Sequence, residues 1–187
     1  MENDRRIRRT ESAIHAAFLD LLFEKDITKI TVKELCERAD INKSTFYLHY
    51  RDIYDLAEHY KQELATKICN IVLEYEIADL IPKAQEIWER VLSLYLDDHT
   101  TPFSLHNTAF NFMTETISNQ VLDAVLQKLY ASVTDHDEEK LYRYRIFTTF
   151  IISGFWGILR SFDTEDLIRN KAFVTISNGL ENGLQLG

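Results

Sequence analysis

The distribution of glycine constrains this sequence more than any other feature. All five glycines of the 187 residues lie within the last 34, so that residues 1–153 contain none. Phosphate-binding loops and dinucleotide fingerprints need glycine where the backbone closely approaches a phosphate, and that stretch therefore excludes both. Because few residues that end strands or form turns remain there, the chain is predicted to be all-α.

The length and composition indicate a folded protein with no membrane segment. With 45% hydrophobic residues, the chain can bury a sizeable core. Its two cysteines, Cys36 and Cys69, do not indicate a disulfide scaffold and fit a reducing compartment. The N-terminus lacks the apolar core of a secretory signal, and the longest uncharged run, residues 146–159, has 14 residues where a span needs roughly 20. We therefore expect a cytoplasmic protein.

The net charge of −9 is distributed unevenly along the chain. Residues 1–51 carry a net charge of +1, and residues 52–187 carry −10. Affinity for nucleic acid depends on local phosphate contacts, so the acidic total does not exclude it. The first part also concentrates cations at its two ends: Arg5, Arg6, Arg8 and Arg9, then Lys43 and Arg51. On its own, the arginine cluster fits a solvated helix start equally well.

Apolar spacing and capping residues predict three helices within about the first fifty residues, and a fourth after them. The first ends near Glu24, and the second follows a capping box in which the Thr31 hydroxyl accepts a backbone N–H while Glu34 reaches back. Asn42 is a suitable N-cap for a third helix, from Lys43 to about Tyr50. The fourth is predicted to begin at residues 51–52 and to run toward residue 71.

Two short helices joined by the turn at residues 40–42 form a helix-turn-helix pattern. The geometry of such a pair predicts a small slot for Cys36 and places Ile41 and Phe46 against the core. The outward face of the third helix then carries hydrogen-bonding groups and no carboxylate. Its residues are Lys43, Ser44, Thr45, Tyr47 and His49. An acid-free face is compatible with a groove lined by phosphates.

Residues 30–50, which read ITVKELCERADINKSTFYLHY, closely resemble the DNA-binding domain of TetR/AcrR-type transcriptional regulators. The run Ser44-Thr-Phe-Tyr-x-His-Tyr50 is the most specific part, and the resemblance covers roughly residues 7–65. The remainder of the chain is similar only in length and helical character, as expected of that family's variable domain. We therefore expect a helix-turn-helix DNA-binding domain at residues 1–52 with a linking helix to about residue 72, and a helical regulatory and dimerisation domain at residues 73–187.

The resemblance implies a set of DNA contacts. Thr31 would hold a phosphate at a helix N-terminus, and Lys43 would be the best candidate for a guanine contact. Tyr47 and His49 would bind phosphates, and Arg6 would reach the flanking backbone or the minor groove. The full expected set is Arg6, Thr31, Lys33, Asn42, Lys43, Ser44, Thr45, Tyr47, His49 and Arg51.

Two positions depart from the family's pattern. Asp40 stands where the turn usually has glycine, and Asp tolerates a left-handed conformation less readily. Ile53 stands where a lysine usually binds phosphate, and Arg51 is the candidate replacement. For Tyr50, a place in the core is favoured over a DNA contact.

The second part is predicted to continue as helices, at about residues 121–133 and 140–161 and from Thr164 to near residue 183, with polar breaks at 97–102 and 135–139. The last two helices carry more apolar surface than a small domain hides, and we expect them to dock on a second copy as a four-helix interface. The alternative is a purely intramolecular core. The expected interface residues are Phe147, Ile151, Gly154, Phe155, Ile158, Ile168, Ile176 and Leu180.

The segment from Trp88 to Phe112 mixes aromatic residues with His99, His106, Asn107 and Tyr95. The resemblance implies a small-molecule pocket in such a domain, or a protein partner in its place. Each of these residues is more often core than ligand contact, so none is assigned to an effector.

Two other classes of function compete with this expectation. A helical metalloenzyme would use acids and histidines such as those at residues 97–99 and 135–138, but neither run has the Glu-x-x-His spacing of bundle sites. No arrangement of nucleophile and base is evident, so we expect no enzyme, metal or cofactor. The acid-free face argues against a helix-turn-helix that binds protein. We therefore expect a homodimeric DNA-binding regulator with a palindromic operator, a repressor released by an effector, with an activator as the alternative.

Overall fold

A computed structural model of the chain describes residues 2–80, 82–96, 108–132 and 138–161, with residues 171, 174–176, 178 and 179 near the end. These residues form helices and turns, and the part described contains no strand. The all-α prediction is thereby confirmed. In chain order the helices are α1 (Glu2–Glu24), α2 (Val32–Arg38), α3 (Lys43–His49), α4 (Ile53–Leu73), α5 (Ala84–Leu96), α6 (Thr108–Ser132) and α7 (Glu138–Ser161), with 3-10 turns at Ile27–Lys29 and Ile77–Asp79.

The first three helices and the start of α4, which we call the head, share one core. Helix α2 packs against both α1 and α3. Phe46 of α3 and Leu35 of α2 are fully buried, and Cys36 is only 3% exposed, as predicted for a small slot. Ile41 is half-buried and packs against this core. The head therefore matches the helix-turn-helix expected from the sequence.

Helix α2 is fixed to the end of α1 by polar contacts. The Thr31 hydroxyl accepts a hydrogen bond from the Glu34 N–H at 3.3 Å, as the capping box predicts. The prediction for the second half of the box was wrong, because the Glu34 carboxylate accepts a bond from Lys25 instead. The Arg38 guanidinium donates two bonds to the Glu24 carboxylate, at 2.6 and 3.0 Å.

The turn between α2 and α3 uses a left-handed residue. Asp40 has a φ of 52°, and the Ile41 N–H donates to the Cys36 carbonyl at 3.0 Å. A bond from the N–H of residue i+5 to the carbonyl of residue i, as here, defines a Schellman motif. Glycine is the usual left-handed residue in that motif. Asp40 thus adopts the conformation that glycine would supply, at some cost in backbone strain.

Helices α4–α7 form the second region, which we call the body, with α6 at its centre. Helix α6 packs against α4 and α7 and also contacts α1. Lys128 of α6 donates from Nζ to the carbonyls of Leu73 at 2.8 Å and Tyr75 at 2.5 Å. A cation at the C-terminal end of a helix is favourable, so Lys128 holds the end of α4 on α6. The core here includes Trp88 and Ile117, which are 2% and 1% exposed.

Several predicted boundaries in the body were wrong. Helix α6 begins at Thr108 rather than near residue 121, and α7 begins at Glu138 rather than 140. The early start of α7 has a physical reason, because its first-turn acids complement the helix dipole. Of the predicted last helix, residues 174–176, 178 and 179 are helical. The prediction of one helix from Thr164 was wrong at Lys171, which is a turn residue with a φ of 46°, a left-handed conformation that a helix cannot contain. The other residues of that segment, the break at 97–102 and residues 135–137 lie outside the described residues.

Candidate nucleic-acid interface

Helix α3 lies on the surface of the head with one face buried and the other exposed. Phe46 and Tyr50 face the core, at 0% and 7% exposure. Lys43 is exposed, and Tyr47 and Leu48 are 57% and 84% exposed. Because no acidic residue occurs between positions 43 and 49, the outer face of α3 can approach phosphates without charge repulsion.

Asn42 shapes the start of α3 as its N-cap. Its Oδ1 accepts bonds from the Thr45 N–H at 2.9 Å, the Thr45 hydroxyl at 3.0 Å and the Ser44 hydroxyl at 2.5 Å. Hydroxyl groups that donate to Asn42 present their lone pairs to other partners. In a contact with base edges, Ser44 and Thr45 would therefore act as acceptors, suited to the amino groups of adenine and cytosine.

Lys43 and Tyr47 differ from what helix stability alone would select. A lysine in the first turn opposes the helix dipole, so Lys43 contributes nothing favourable there by charge. The Tyr47 ring stands edge-on to Phe46 with centroids 5.5 Å apart, while over half of the side chain stays exposed. This contact with the core limits the freedom of an exposed tyrosine, which suits a residue that contacts a partner.

His49 lies apart from the exposed residues of α3. Its side chain is 15% exposed, and its Nδ1 is 3.3 Å from Glu11 Oε1 on α1. The imidazole therefore faces α1 in this structure. The Glu11 carboxylate would compete with a phosphate for this ring nitrogen. The phosphate contact of His49 stays a prediction.

Tyr50 is a core residue, as favoured from the sequence, and it joins three helices. Its hydroxyl is 3.0 Å from His15 Nε2 of α1, and His15 Nδ1 is 3.7 Å from Glu63 Oε2 of α4. Burial raises the pKa of Tyr50 to about 12, with further contributions from the carboxylates of Glu11, Glu63 and Asp55. The end of α3 is thus tied to α4 through His15.

The expected contacts outside α3 are exposed. Thr31 begins α2 at the surface, and a hydroxyl that accepts the capping bond can still donate its hydrogen to a phosphate. Lys33 has a side chain 72% exposed, with its Nζ 3.8 Å from Glu37 in a weak surface pair. Arg6 is exposed on α1.

Ile53, the second departure from the family's pattern, and Arg51, its candidate replacement, lie in different environments. Ile53 is 5% exposed, so it belongs to the core and offers no phosphate contact. The Arg51 side chain is 86% exposed and donates from Nη2 and Nε to Asp55 Oδ1, at 2.6 and 3.1 Å. These bonds hold the pKa of the Asp55 carboxyl below its usual value. A guanidinium has further donors, so Arg51 remains a candidate for the phosphate.

Sequence reasoning missed two exposed apolar residues of the head, Leu48 and Tyr54. Leu48 is two residues from both Phe46 and Tyr50, and helical geometry places such a residue on the opposite face. Tyr54, next to the buried Ile53, is 57% exposed. The spacing of the core residues was thus a sufficient signal for Leu48.

The expected interface residues of the body fall into several environments. Phe155 packs edge-on against Trp88 of the same chain, with ring centroids 5.5 Å apart. Ile151, Ile158 and Ile176 are half-buried, and Gly154 is exposed. The side chain of Phe147, and all of Ile168 and Leu180, lie outside the described residues.

A different set of α7 side chains is exposed. Tyr142, Ile146 and Phe150, each four residues from the next, are 65%, 53% and 66% exposed. The stripe continues through Gly154 and Gly157, where an added Cβ would meet no atom within 4 Å. We call these five residues the α7 face. Within the described part of this chain, no close contact requires glycine at position 154 or 157.

An apolar cavity of about 430 Å³ lies between α4, α5, α6 and α7. Ile68 and Val72 of α4 form one wall, and Phe155 of α7 forms another. Of the described residues that line it, only Thr148 and Trp156 have a polar group in the side chain, a hydroxyl and an indole N–H. The segment predicted to form a pocket, residues 88–112, can be compared with this cavity only in part. Residues 97–107 lie outside the described part, and Trp88 is buried in the core.

Two further properties bear on the class of protein. Among the residues that the structure describes, no three histidines, cysteines or acids are grouped as a metal site would need. The runs at 97–99 and 135–137 lie outside them. Over the same residues, no helix is long and apolar enough to cross a membrane.

A short exposed helix without carboxylates, held by a tight turn across a second helix, defines a helix-turn-helix protein of the nucleic-acid-binding class. Residues 14–60 match the family described as "Bacterial regulatory proteins, tetR family". The match lies within the head and supports a transcriptional regulator of the tetR type.

A relative in Bacillus subtilis (strain 168), named as the uncharacterized HTH-type transcriptional regulator YxbF, is 26% identical over 152 residues. The match covers 78% of this chain and 39% of that protein, so the chain spans well under half of its relative's length. No solved structure matches the chain.

Proposed function

We propose that this protein binds a palindromic operator in double-stranded DNA as a homodimer and regulates transcription without enzymatic activity. The observation that carries this proposal is the exposed face of α3, which has Lys43, Ser44 and Tyr47 outward and no carboxylate. Such a face suits the major groove, where phosphates flank the base edges. The name of the Bacillus relative and the family match support the same role. The proposed site of action is the cytoplasm, where the chromosome is accessible.

The test of DNA binding is a fluorescence-anisotropy titration on the DNA upstream of the protein's own gene, at several salt concentrations. We expect Lys43→Ala combined with Tyr47→Ala to abolish operator binding while the fold is kept. The matched control is Lys67→Ala with Tyr130→Ala, exposed residues of α4 and α6, which should bind as the unmodified protein does. Equal operator affinity of the first pair and the control would exclude α3 as the reading helix.

The dimer is proposed to form through the α7 face. A single head reads few base pairs, and a two-fold dimer would place two recognition helices about 34–36 Å apart, one DNA turn or slightly more. The three large side chains of the α7 face are aromatic or aliphatic, and exposed groups of this kind arranged in one stripe indicate an interaction surface. A protein that stays monomeric at micromolar concentration in light scattering would contradict this part.

The proposed mode of regulation is repression that a small-molecule effector relieves, with the cavity as its site. Ile68 and Val72 line the cavity on α4, and Ile53 at the other end of α4 packs in the head. Because α4 is one continuous helix, a ligand that displaces its cavity end also moves its head end.

A thermal-shift screen of metabolites, followed by operator binding with each hit, tests the effector. A reporter fused to the regulated promoter tests the sign of regulation. The alternative of a protein partner would be favoured if no metabolite shifts the melting temperature while a cellular protein releases the DNA.

A further inference from the structure

Leu48 is the most exposed of the large hydrophobic side chains that the structure describes, at 84%. Single exposed leucines are common on protein surfaces, so exposure alone assigns no role. The position is more informative. Leu48 lies one turn after Ser44, so that the two side chains share a face of α3, and it is next to the exposed Tyr47. An apolar side chain therefore interrupts the polar reading face.

We propose that Leu48 determines sequence specificity by packing against the C5-methyl group of a thymine in each operator half-site. This inference rests on the proposed function, since it needs α3 in the major groove. The thymine methyl is the apolar group that base edges display there, whereas the other groups of those edges are hydrogen-bond donors and acceptors. A leucine placed against donors and acceptors would remove their water without replacing it. Only beside a methyl does its burial become favourable.

The length of α3 allows Leu48 to reach the bases. Helix α3 has seven residues, which corresponds to about 10 Å along its axis. The major groove is about 12 Å wide, so both turns of so short a helix fit within it. Phe46 and Tyr50, on the opposite face, hold the helix to the core, and the Leu48 side chain therefore points away from the head.

The test uses the full-length protein and an operator defined by selection from random duplexes. Each thymine of a half-site is replaced in turn by deoxyuridine, which removes the methyl group and leaves every hydrogen-bonding group in place. We expect one position per half-site at which this replacement weakens binding about fourfold, the value for one buried methyl or methylene. In Leu48→Ala, the same replacement should have no further effect.

Two controls separate this reading from a general effect of truncation. Leu73→Ala changes a partly exposed leucine of α4, and it should keep the full sensitivity to deoxyuridine. Leu48→Met keeps an apolar side chain of similar volume and should keep it too, which also covers the case that the alanine variant folds poorly.

Three results would overturn the role of Leu48 and leave DNA binding intact. These are a half-site without a preferred thymine, binding that is indifferent to deoxyuridine at every position, and unchanged sensitivity in Leu48→Ala. The last two would favour a protein contact for Leu48. Failure to select any operator would instead contradict the proposed function itself.

Discussion

The head and the body differ in how completely each covers its own apolar groups. In the head, Phe46 and Leu35 are fully buried, and capping side chains serve the starts of α2, α3 and α4. In the body, Ile146 and Phe150 are more than half exposed on α7, and a cavity separates the helices. The head thus buries the centre of its own core, although its helix α1 also packs against α6 of the body. The body has surfaces that a second copy and a ligand would complete, which suits the part of a regulator that responds.

Removing the Phe46 ring should have the largest effect and should divide the two regions. Phe46→Ala is expected to lower the free energy of unfolding by about 3–5 kcal/mol, because the Phe46 side chain is fully buried and its removal leaves a cavity. Both tryptophans, Trp88 and Trp156, lie in the body. Denaturation followed by circular dichroism should therefore show the head unfolding before tryptophan fluorescence changes.

The control for this experiment is Leu48→Ala on the same helix, which should change stability by less than about 0.5 kcal/mol because that side chain is exposed. Coincident transitions by both probes in Phe46→Ala would mean that the two regions unfold as one. The comparison between them would then fail at the level of stability.

The fold of the head could be predicted because its signals are local. Thr31 and Asn42 cap helices as expected, and the apolar spacing around Phe46 identifies the buried face. The partner of the Glu34 carboxylate could not be predicted, because Lys25 comes from outside the capping box and meets it only in the folded head. The orientation of His49 toward Glu11 has the same cause, since the two residues are 38 positions apart.

The body was less predictable because its helices are apolar on more than one face. On α7, both Phe150 and Phe155 belong to an apolar run, yet the first is exposed and the second packs on Trp88. Spacing within one helix does not distinguish these two faces. The packing of α6 and of Trp88 from α5 against α7 decides which one is buried, and Trp88 is distant from α7 in sequence.

The exposed α7 face provides the second prediction. Ile146→Asp together with Phe150→Asp should raise the dissociation constant of the dimer at least about a hundredfold, or about 2.7 kcal/mol, because charges would enter an apolar contact. Sedimentation velocity over a range of concentrations measures this constant. Arg143→Asp, a change at an exposed α7 residue outside the face, should leave the dimer intact. An unaltered dimer in the double variant would move the interface elsewhere.

The buried Tyr50 hydroxyl gives the head a dependence on alkaline pH. Because the folded-state pKa of Tyr50 is about 12 and an unfolded tyrosine has one near 10, its stabilising effect is present below pH 10 and is lost as the pH rises toward 12. Between pH 9 and 11 the free energy of unfolding should fall by about 1.4 kcal/mol through this group.

Urea denaturation at pH 9, 10 and 11 measures that slope. Tyr50→Phe should remove this fall in the free energy of unfolding between pH 9 and 11. The variant also loses the bond to His15, so it should be less stable at neutral pH. Tyr54→Phe, at an exposed tyrosine, should keep the original slope. A slope unchanged by Tyr50→Phe would show that the hydroxyl ionises equally easily in the folded and unfolded chain.

The smallest expected effect concerns the strained turn that positions α3. Asp40→Gly should raise the free energy of unfolding by about 0.5–1 kcal/mol, because glycine adopts a φ of 52° without the steric cost that Asp carries. Glu37→Gly, in the interior of α2, should lower it by about 1 kcal/mol, since glycine there disfavours the helix. Chemical denaturation distinguishes the two signs. If Asp40→Gly also destabilises the protein, the Asp40 side chain must stabilise the turn by more than its strain costs. The head would then depend on that side chain as well as on its backbone geometry and its core.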